Sequence, residues 1–456
     1  MTTSFNRKEV ARAFAHPVAA AGLAATLERS VQSAHQARAQ IEWETLRSAA
    51  HDVKAYAIAN LDRLLTQFES QFTQRGGGVL WAQTADDAVA HCLDICRRHH
   101  ATSVVKGKSM VSEELGLNEH LSRAGIDVVE TDLGEFIVQL ADQRPSHIVG
   151  PALHLSRQDI GKLFAAKLGI EYTDDPQTLM SAARTRLRAR YMQAQVGMTG
   201  VNFAVAETGT IVVIENEGNG GLSSAVPRVH VFLMGIEKVI PRLADVPLFV
   251  RILARAATGQ KISTYTHHFL GAEAGKTVYC IIVNAKRTKL LADPKTRQSL
   301  YCIRCGACLN VCPIYRRAGG FAYGGTYAGP IGAVITPQLT GINQAGELPF
   351  VSTLCGACQD ECPVKIDLPH QLVYLRHRAV EHGAARASMT SRGIAAWARA
   401  MRDLPSYQRS VRWLRRAAAL GRRIGWYPGV LGAWTKSRTL PQPPKESFKE
   451  WWERTR

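Results

Sequence analysis

Seven of the ten cysteines lie in two short runs between residues 302 and 362. The runs read Cys302-x2-Cys305-x2-Cys308-x3-Cys312-Pro313 and Cys355-x2-Cys358-x3-Cys362-Pro363. Gaps of two residues let successive thiolates and backbone amides surround one iron–sulfur cube, and this spacing is typical of chains that bind 4Fe–4S clusters. The proline ends each run, because it fixes φ and donates no hydrogen bond. The spacing therefore predicts thiolate-bound iron–sulfur clusters.

The division of the cysteines between two clusters follows from the ferredoxin pattern, in which the cysteine before proline ligates the other cluster of the pair. This rule assigns the first cluster to Cys302, Cys305, Cys308 and Cys362. The second cluster receives only Cys312, Cys355 and Cys358. When the runs are aligned on their Cys-Pro ends, Ser352 stands opposite Cys302. We therefore predict two clusters, the second being of 3Fe–4S type or having a ligand other than cysteine.

Two other uses of these cysteines explain less of the pattern. Zinc also binds Cys-x2-Cys pairs, but a zinc site would use four cysteines and leave three unexplained. A disulfide framework is disfavoured because the chain shows no secretory signal. The three cysteines outside the runs, Cys92, Cys96 and Cys280, lie in apolar segments and are predicted to be core residues. Cys280 is a secondary candidate for the missing ligand.

The composition predicts a protein of two or three domains, since the chain has 456 residues and 46% hydrophobic side chains. No apolar stretch approaches the roughly 18 residues that cross a bilayer, so we expect a cytoplasmic protein. The formal net charge is +18. From residue 371 onward there are 18 Lys and Arg against 5 Asp and Glu, so most of the excess charge lies in the last 86 residues.

The hydrophobic pattern predicts helices over residues 8–75 and alternating strands and helices from residue 79 onward. Alternation of this kind indicates an α/β domain with a largely parallel sheet. Three further predictions concern a strand at 147–149, a hairpin at 216–221 (favoured over a ligand-binding loop) and an irregular glycine-rich loop at 313–350. The predicted segments are a helical lead at 1–75, an α/β domain at 76–290, an α-helical ferredoxin-like dicluster domain at 291–383 and a basic tail at 384–456.

Five segments resemble the lactate utilisation protein B family. They are Cys302–Arg316, Gly329–Val334, Leu354–Ile366, Lys106–His120 and Glu207–Thr210. The resemblance implies a lactate-utilisation (LUD) domain akin to ribose-phosphate isomerases and CoA transferases. It also implies a three-protein complex that oxidises L-lactate to pyruvate, in which this subunit carries the clusters. The chain departs from the family at Val283-Asn-Ala-Lys-Arg287, where members usually carry an Asp-Asn-Gly-Arg-like stretch.

The expected function is therefore electron transfer between a catalytic partner and an acceptor. The implied partners are a cysteine-rich oxidoreductase subunit and a shorter LUD protein. The alternative is that the LUD domain is itself an isomerase or transferase with redox-regulating clusters. The fold resemblance invites a comparison of Glu207 with the glutamate nucleophile of CoA transferases. We favour a structural role for this residue. A predicted strand is followed by Lys106, Lys108 and Ser109. In one interpretation these residues bind an anion, and in the other they form a solvated turn.

The tail interleaves arginines with six of the eight tryptophans of the chain, at positions 397, 413, 426, 434, 451 and 452. Aromatic side chains and arginine are enriched at protein interfaces. A protein partner is therefore the first interpretation, and peripheral contact with an anionic membrane is the second. No nucleic-acid-binding module is visible, so we expect no nucleic-acid partner.

Overall fold

The computed structural model describes residues 5–15, 17–383, 389–424 and 448–456, together with residues 432, 435, 438, 444 and 446. The chain forms two compact units, Met1–Ala384 and Ala385–Arg456. The strands of the first unit are β1 (Gly78–Ala82), β2 (Ser103–Lys106), β3 (Asp127–Glu130), β4 (Val196–Gly200), β5 (Phe203–Val205), β6 (Thr210–Glu215), β7 (Val229–Gly235), β8 (Val239–Ile240), β9 (Tyr265–Phe269) and β10 (Thr277–Val283).

Helices cover most of the remaining chain. The first unit contains α1 (Arg7–Ala15), α2 (Pro17–Arg38), α3 (Trp43–Ala59), α4 (Leu61–Gln74), α5 (Ala85–Arg98), α6 (Met110–Leu115), α7 (Leu117–Arg123), α8 (Leu133–Leu140), α9 (Arg157–Leu168), α10 (Pro176–Gln193), α11 (Asn219–Ala225), α12 (Val246–Ala257), α13 (Arg287–Ala292), α14 (Ala307–Val311), α15 (Pro313–Ala318), α16 (Gly329–Thr340), α17 (Ile342–Ala345), α18 (Ala357–Asp360) and α19 (Leu368–Glu381). Short 3-10 turns occur at Ile236–Lys238, Leu243–Asp245, Arg297–Tyr301, Phe321–Tyr323 and Leu348–Phe350.

Among the described residues, six strands form a central sheet in the order β1-β10-β7-β4-β2-β3, and each neighbouring pair is parallel. All seven residues of β7 are buried, as expected for a parallel strand that is covered on both faces. Capping boxes at Thr84 and Ser156 start α5 and α9. The mixed α/β fold with a largely parallel central sheet is thus confirmed.

A second, mostly antiparallel sheet has the order β8-β5-β6-β9 within the described chain. Its apolar residues share one core with α3, α4 and the cysteine-containing segment. Lys54 on α3 is 2% exposed and donates to the Glu237 carbonyl at 2.5 Å. The N-terminal helices therefore pack into the same core as the sheets, within the first compact unit.

Three predicted elements are wrong. Residues 147–149 form no strand, because His147 bonds Asn310 at 3.1 Å and the segment packs as a loop against the first cysteine run. Residues 216–221 form no hairpin. The glycines lead from β6 directly into α11, and the Glu215 carboxylate accepts the Gly220 and Gly221 amides. The glycine-rich stretch 313–350 contains the buried helix α16 rather than only irregular loop.

The second unit contains α20 (Met389–Ala400), α21 (Leu404–Ile424) and α22 (Phe448–Thr455). Trp397 and Trp413 expose 62% and 68% of their surface. Trp451 and Trp452 are also exposed and lie beside the Phe448 ring. Trp426 and Trp434 lie outside the described residues. In the described part of the chain, no helix combines the length and the apolar character needed to cross a membrane.

Candidate metal centre

The two cysteine runs adopt the same backbone turn. Arg304 and Leu354, which precede equivalent cysteines, have φ values of 62° and 56°. Gly306 and Gly356, which follow those cysteines, have φ values of 86° and 88°. Left-handed backbone is costly for residues other than glycine, so its recurrence at equivalent positions indicates a shared geometric requirement. The turns correspond residue by residue to the alignment on the Cys-Pro ends.

The same hydrogen bond occurs in both turns and shows which position Ser352 occupies in the second turn. The Arg304 amide donates to Cys302 Sγ at 3.4 Å. The Leu354 amide donates to Ser352 Oγ at 3.1 Å. The serine oxygen therefore occupies, in the second turn, the position that the Cys302 sulfur occupies in the first. This is the position at which the second predicted cluster lacks a cysteine.

The four cysteines predicted for the first cluster line one small cavity, whose other lining residues are apolar except for Arg304. The lining residues include Cys302, Cys305, Cys308, Cys362, Ile148, Ile331, Val364, Ile366 and Leu368. Burial raises the pKa of Cys362 to about 11, and the nearby Cys302 raises it further in the same direction. Cys362, which comes from the second run, thus lies with three cysteines of the first run, as the ferredoxin rule requires.

The three remaining run cysteines form a second group. Burial raises the pKa of Cys358 to about 12, and the next two causes are Cys312 and Cys355. Cys312 and Cys358 are buried, whereas Cys355 is exposed. The second group is therefore open to solvent at one of its thiols.

The chemistry of both groups fits iron–sulfur clusters. Cys305, Cys308 and Cys362 share a small cavity with Cys302, and burial raises the pKa of each of these three thiols. Their thiolates are therefore unfavourable there unless a cation binds them. Backbone amides face the sulfurs, and the Ile366 amide donates to Cys362 Sγ at 3.4 Å. Amide donors of this kind stabilise the sulfurs of a bound cluster and tune its potential. A tetrahedral zinc ion would need only four of the seven thiolates.

The N-terminal helices hold the second cysteine run in place. Arg47 on α3 donates to the Cys362 carbonyl through Nε at 3.0 Å and Nη2 at 2.9 Å. Arg38 on α2 forms an ion pair with Glu361, and its Nη2 donates to the Ala256 carbonyl at 2.5 Å. The hydrophobic pattern predicted these helices only as a lead that precedes the α/β domain. Spacing carries no signal for a contact between residues more than 300 positions apart.

A buried charge network borders the first cysteine group. Arg287 donates from Nε to Glu237 at 2.8 Å and from both Nη atoms to Glu114 at 2.9 and 2.8 Å. Arg304 reaches the same Glu237 at 3.4 Å. Burial opposes ionisation of Glu237, but Arg287 and then Arg304 outweigh it and hold its pKa at about 2. The network fixes the charged state beside the first group.

The loop before α13, where the chain departs from its family, has left-handed backbone. Ala285 and Lys286 have φ values of 39° and 70°. A glycine at either position would avoid this steric cost. Arg287, the first residue of α13, belongs to the buried network.

Nothing in the sequence pattern points to Tyr323 as a site residue. Its side chain is fully buried, and within the described residues its hydroxyl has no hydrogen-bond partner except the Cys312 sulfur, to which it donates. Burial and then the Cys312 thiolate beside it raise the pKa of Tyr323 well above its ordinary range. The hydroxyl is therefore directed at a cysteine of the second group. Only the tertiary fold brings the two together.

The residues weighed as alternatives have structural roles or separate from one another. Lys106 is fully buried and pairs with Glu130 at 2.7 Å, so it does not face a ligand site. Glu207 accepts the Leu243 amide at 2.9 Å, in keeping with the favoured structural role. Cys280 is buried in β10, and no cysteine is among the causes of its raised pKa. Cys92 and Cys96 are core residues, as predicted.

Known protein families match three successive segments of the chain. A LUD domain matches residues 65–289, a 4Fe-4S dicluster domain matches residues 298–366, and the C-terminal domain of lactate utilisation protein B matches residues 375–456. A crystal structure of a duf162 family protein from Deinococcus radiodurans covers 49% of the chain and 98% of its own length, at 14% identity and a TM-score of 0.28. That score is too low to establish a common fold.

Curated relatives extend over most of the chain. "Lactate utilization protein B" of Oceanobacillus iheyensis is 41% identical over 90% of this chain and 87% of the relative. The protein of the same name from Bacillus subtilis is 37% identical over 90% of this chain and 87% of the relative. Identity at this level over nearly the full length establishes common descent. The chain therefore belongs to the lactate utilisation protein B family.

Proposed function

We propose that the chain is the iron–sulfur electron-transfer subunit of a complex that oxidises L-lactate to pyruvate. One observation carries the proposal: two matching cysteine turns gather four thiols into one cavity and three into a second group. Membership of the lactate utilisation protein B family supports the connection to lactate. The LUD domain is proposed to resemble ribose-phosphate isomerases and CoA transferases, and the segments 1–75, 76–290, 291–383 and 384–456 are proposed as the working divisions of the chain.

In this proposal, Cys302, Cys305, Cys308 and Cys362 hold one 4Fe–4S cluster. Cys312, Cys355 and Cys358 hold the second cluster, with Ser352 as the candidate fourth ligand. A cluster of this type, when bound, would accept and donate one electron at a time. The protein contributes the ligands, the amide donors and the apolar walls that set the potential.

Fixed charges of the chain act on the first site. Although burial opposes it, the Cys302 thiolate raises the pKa of Arg304. The Arg304 guanidinium therefore stays charged beside the cysteines. A cation next to a cluster favours the added electron, so Arg304 is expected to raise the potential of the first cluster.

The proposed partners are a cysteine-rich oxidoreductase subunit and a shorter LUD protein, with the tail as the docking segment. Peripheral membrane contact is a secondary proposal for the same tail. The rival function, an isomerase or transferase reaction in the LUD domain, has less support because the Glu207 carboxylate is engaged by the Leu243 amide.

The first test is the metal content of protein purified without oxygen. We expect about eight irons with matching acid-labile sulfide, or about seven if the second cluster is of 3Fe type. Zinc in place of iron and sulfide would contradict the proposal.

The second test separates electron transfer from catalysis. We expect the isolated chain to form no pyruvate from L-lactate and the complex with its partners to do so. Cys305→Ser and Cys358→Ser should each abolish electron delivery to an external dye, whereas Glu207→Gln, the control, should change it little. Pyruvate formation by the isolated chain would place catalysis in the LUD domain instead. Loss of activity in Glu207→Gln with both clusters intact would lead to the same conclusion.

A further inference from the structure

A cavity of about 290 Å³ lies at the carboxyl edge of the central sheet. Its walls include Gly107–Ser109, which follow β2, and Thr199–Asn202, which end and follow β4. The chain continues from β2 to β3 on one side, and β4 pairs with β7 on the other. The order of the strands therefore reverses between β2 and β4. Parallel α/β sheets bind ligands in the crevice that such a reversal opens.

The first cysteine run closes the cavity from the opposite side. Arg304 and Cys305 both line it, so a bound molecule would lie next to a proposed cluster ligand. Apolar side chains, among them Val111, Leu233 and Leu253, form part of the wall. The lining thus suits a small organic molecule with a polar end better than a bare inorganic ion.

Two basic side chains at this cavity, Lys238 and Arg304, have charges that acidic partners do not fully neutralise. Lys238 is 8% exposed and makes no hydrogen bond or ion pair within the described residues. Arg304 has a side chain that is 9% exposed and pairs with Glu237 at 3.4 Å, but its buried Nη1 has no hydrogen-bond partner within the described residues. Buried cations are normally paired, and an anion in the cavity would supply the partner that Lys238 and Nη1 of Arg304 lack. Lys108, also in the lining, donates to the Val149 carbonyl at 3.1 Å.

The carboxylates in the lining are already engaged. Glu215 accepts the Gly220 and Gly221 amides and pairs with His267 at 2.7 Å. Glu217 accepts the Leu133 amide at 2.9 Å, and Asp132 accepts the Glu135 amide at 3.0 Å. Within the described residues, none of these three carboxylates forms an ion pair with Lys238 or Arg304. The cavity therefore has a cationic end that none of its own acids neutralises by direct contact.

We infer that this cavity binds a small organic carboxylate, whose charged group is held by Lys238 and Arg304 beside the first cysteine group. An electron carrier needs no such site, so the inference goes beyond the proposed function and stands independently of it. The simplest competing explanation is that both cations only balance the charge of a cluster bound by Cys302 and its neighbours. The two explanations differ in whether a free anion binds.

The test is calorimetric titration of cluster-loaded, full-length protein with L-lactate, pyruvate, acetate and inorganic phosphate in turn. We expect one site per chain that binds at least one of the carboxylates more tightly than phosphate. Lys238→Met should weaken this binding about 10-fold or more, equivalent to about 1.4 kcal/mol, at unchanged iron content. Lys108→Met gives a second variant at the same site, with a smaller loss. Lys289→Met, on an exposed face of α13, is the matched control.

A spectroscopic readout accompanies the titration. Saturating carboxylate should shift the paramagnetic signal of the first reduced cluster in the unmodified protein and in Lys289→Met, but not in Lys238→Met. No binding of any carboxylate, equal binding of phosphate, or full binding in both lysine variants would overturn the inference. Dye reduction measured on the same samples reports the proposed function separately, so the failure of one is distinguishable from the failure of the other.

Discussion

At the scale of single residues, Ser352 and Tyr323 distinguish the two cysteine groups. The first group has four sulfurs around one cavity, whereas the second has three sulfurs and two hydroxyls nearby. Ser352 Oγ accepts the same amide bond that a cysteine sulfur accepts in the first turn. The second cluster should accordingly be the one that loses iron first.

We predict that Ser352→Cys makes the second cluster more resistant to oxidation. The new sulfur would occupy the position equivalent to Cys302 and complete a set of four thiolates. After mild oxidation, the 3Fe-type paramagnetic signal should be strong in the unmodified protein and much weaker in the variant. Ser352→Ala should strengthen the signal. If Ser352→Ala leaves cluster content and stability unchanged, the serine is not a ligand.

Tyr323→Phe should lower the reduction potential of the second cluster. Among the described residues the buried hydroxyl has no partner besides the Cys312 sulfur, and donation to that sulfur or to a sulfur of the cluster would favour the reduced, more negative state. A potentiometric titration followed by paramagnetic resonance measures both clusters in one sample. The potential of the first cluster should stay constant and serves as the internal control. An unchanged second potential would show that the hydroxyl makes no such bond.

At the scale of elements, the sequence predicted the parallel sheet because its strands are short, apolar and separated by capped helices, as at Thr84 and Ser156. It predicted the cysteine groups because a ligand pattern is local. It missed α16 because eight glycines between residues 313 and 350 suggested a loop. In the fold, Gly332 packs so closely that an added Cβ would lie 2.1 Å from the Tyr327 carbonyl oxygen. Close packing, rather than flexibility, explains that glycine.

The contacts of α3 could not be predicted for a different reason. An arginine in an amphipathic helix is ordinarily solvated. Nothing in the sequence around Arg47 indicates that it is 8% exposed and bonded to the carbonyl of Cys362. Long-range pairing of this kind depends on tertiary structure alone.

We predict that Arg47→Met destabilises the cluster region by about 1.5–3 kcal/mol, the range for hydrogen bonds to a charged group. The substitution leaves the Cys362 and Gln359 carbonyls without their donor. The midpoint of thermal unfolding and the rate of cluster bleaching by a chelator should both report the loss. Arg63→Met, at an exposed position of α4, is the matched control and should change neither value. An unchanged bleaching rate in Arg47→Met would show that these hydrogen bonds do not stabilise the cluster region.

At the scale of the whole molecule, the second compact unit carries a surface that its own fold does not bury. Trp397 and Trp413 are both more than half exposed among the described residues, on helices rich in arginine. Exposed tryptophan is uncommon on isolated proteins and frequent at interfaces. The tail is therefore expected to contribute to assembly rather than to cluster binding.

Deletion of residues 384–456 should leave cluster content unchanged and weaken co-purification with the partner subunits. The reason is that the described cysteine groups lie wholly within the first compact unit. Iron content and pull-down yield measure the two properties separately. Trp397→Ala with Trp413→Ala provides a milder test, since both side chains are exposed. Loss of clusters on truncation would show instead that the tail belongs to the fold of the cluster region.

The bonds between Arg47 and Cys362 also have a consequence for biosynthesis. The two residues are 315 positions apart, so α3 leaves the ribosome long before the carbonyl that it must bind has been made. α3 can therefore reach its final position only after the second cysteine run has been synthesised. This part of the fold cannot be completed early in translation, although its helix is among the first elements to be made.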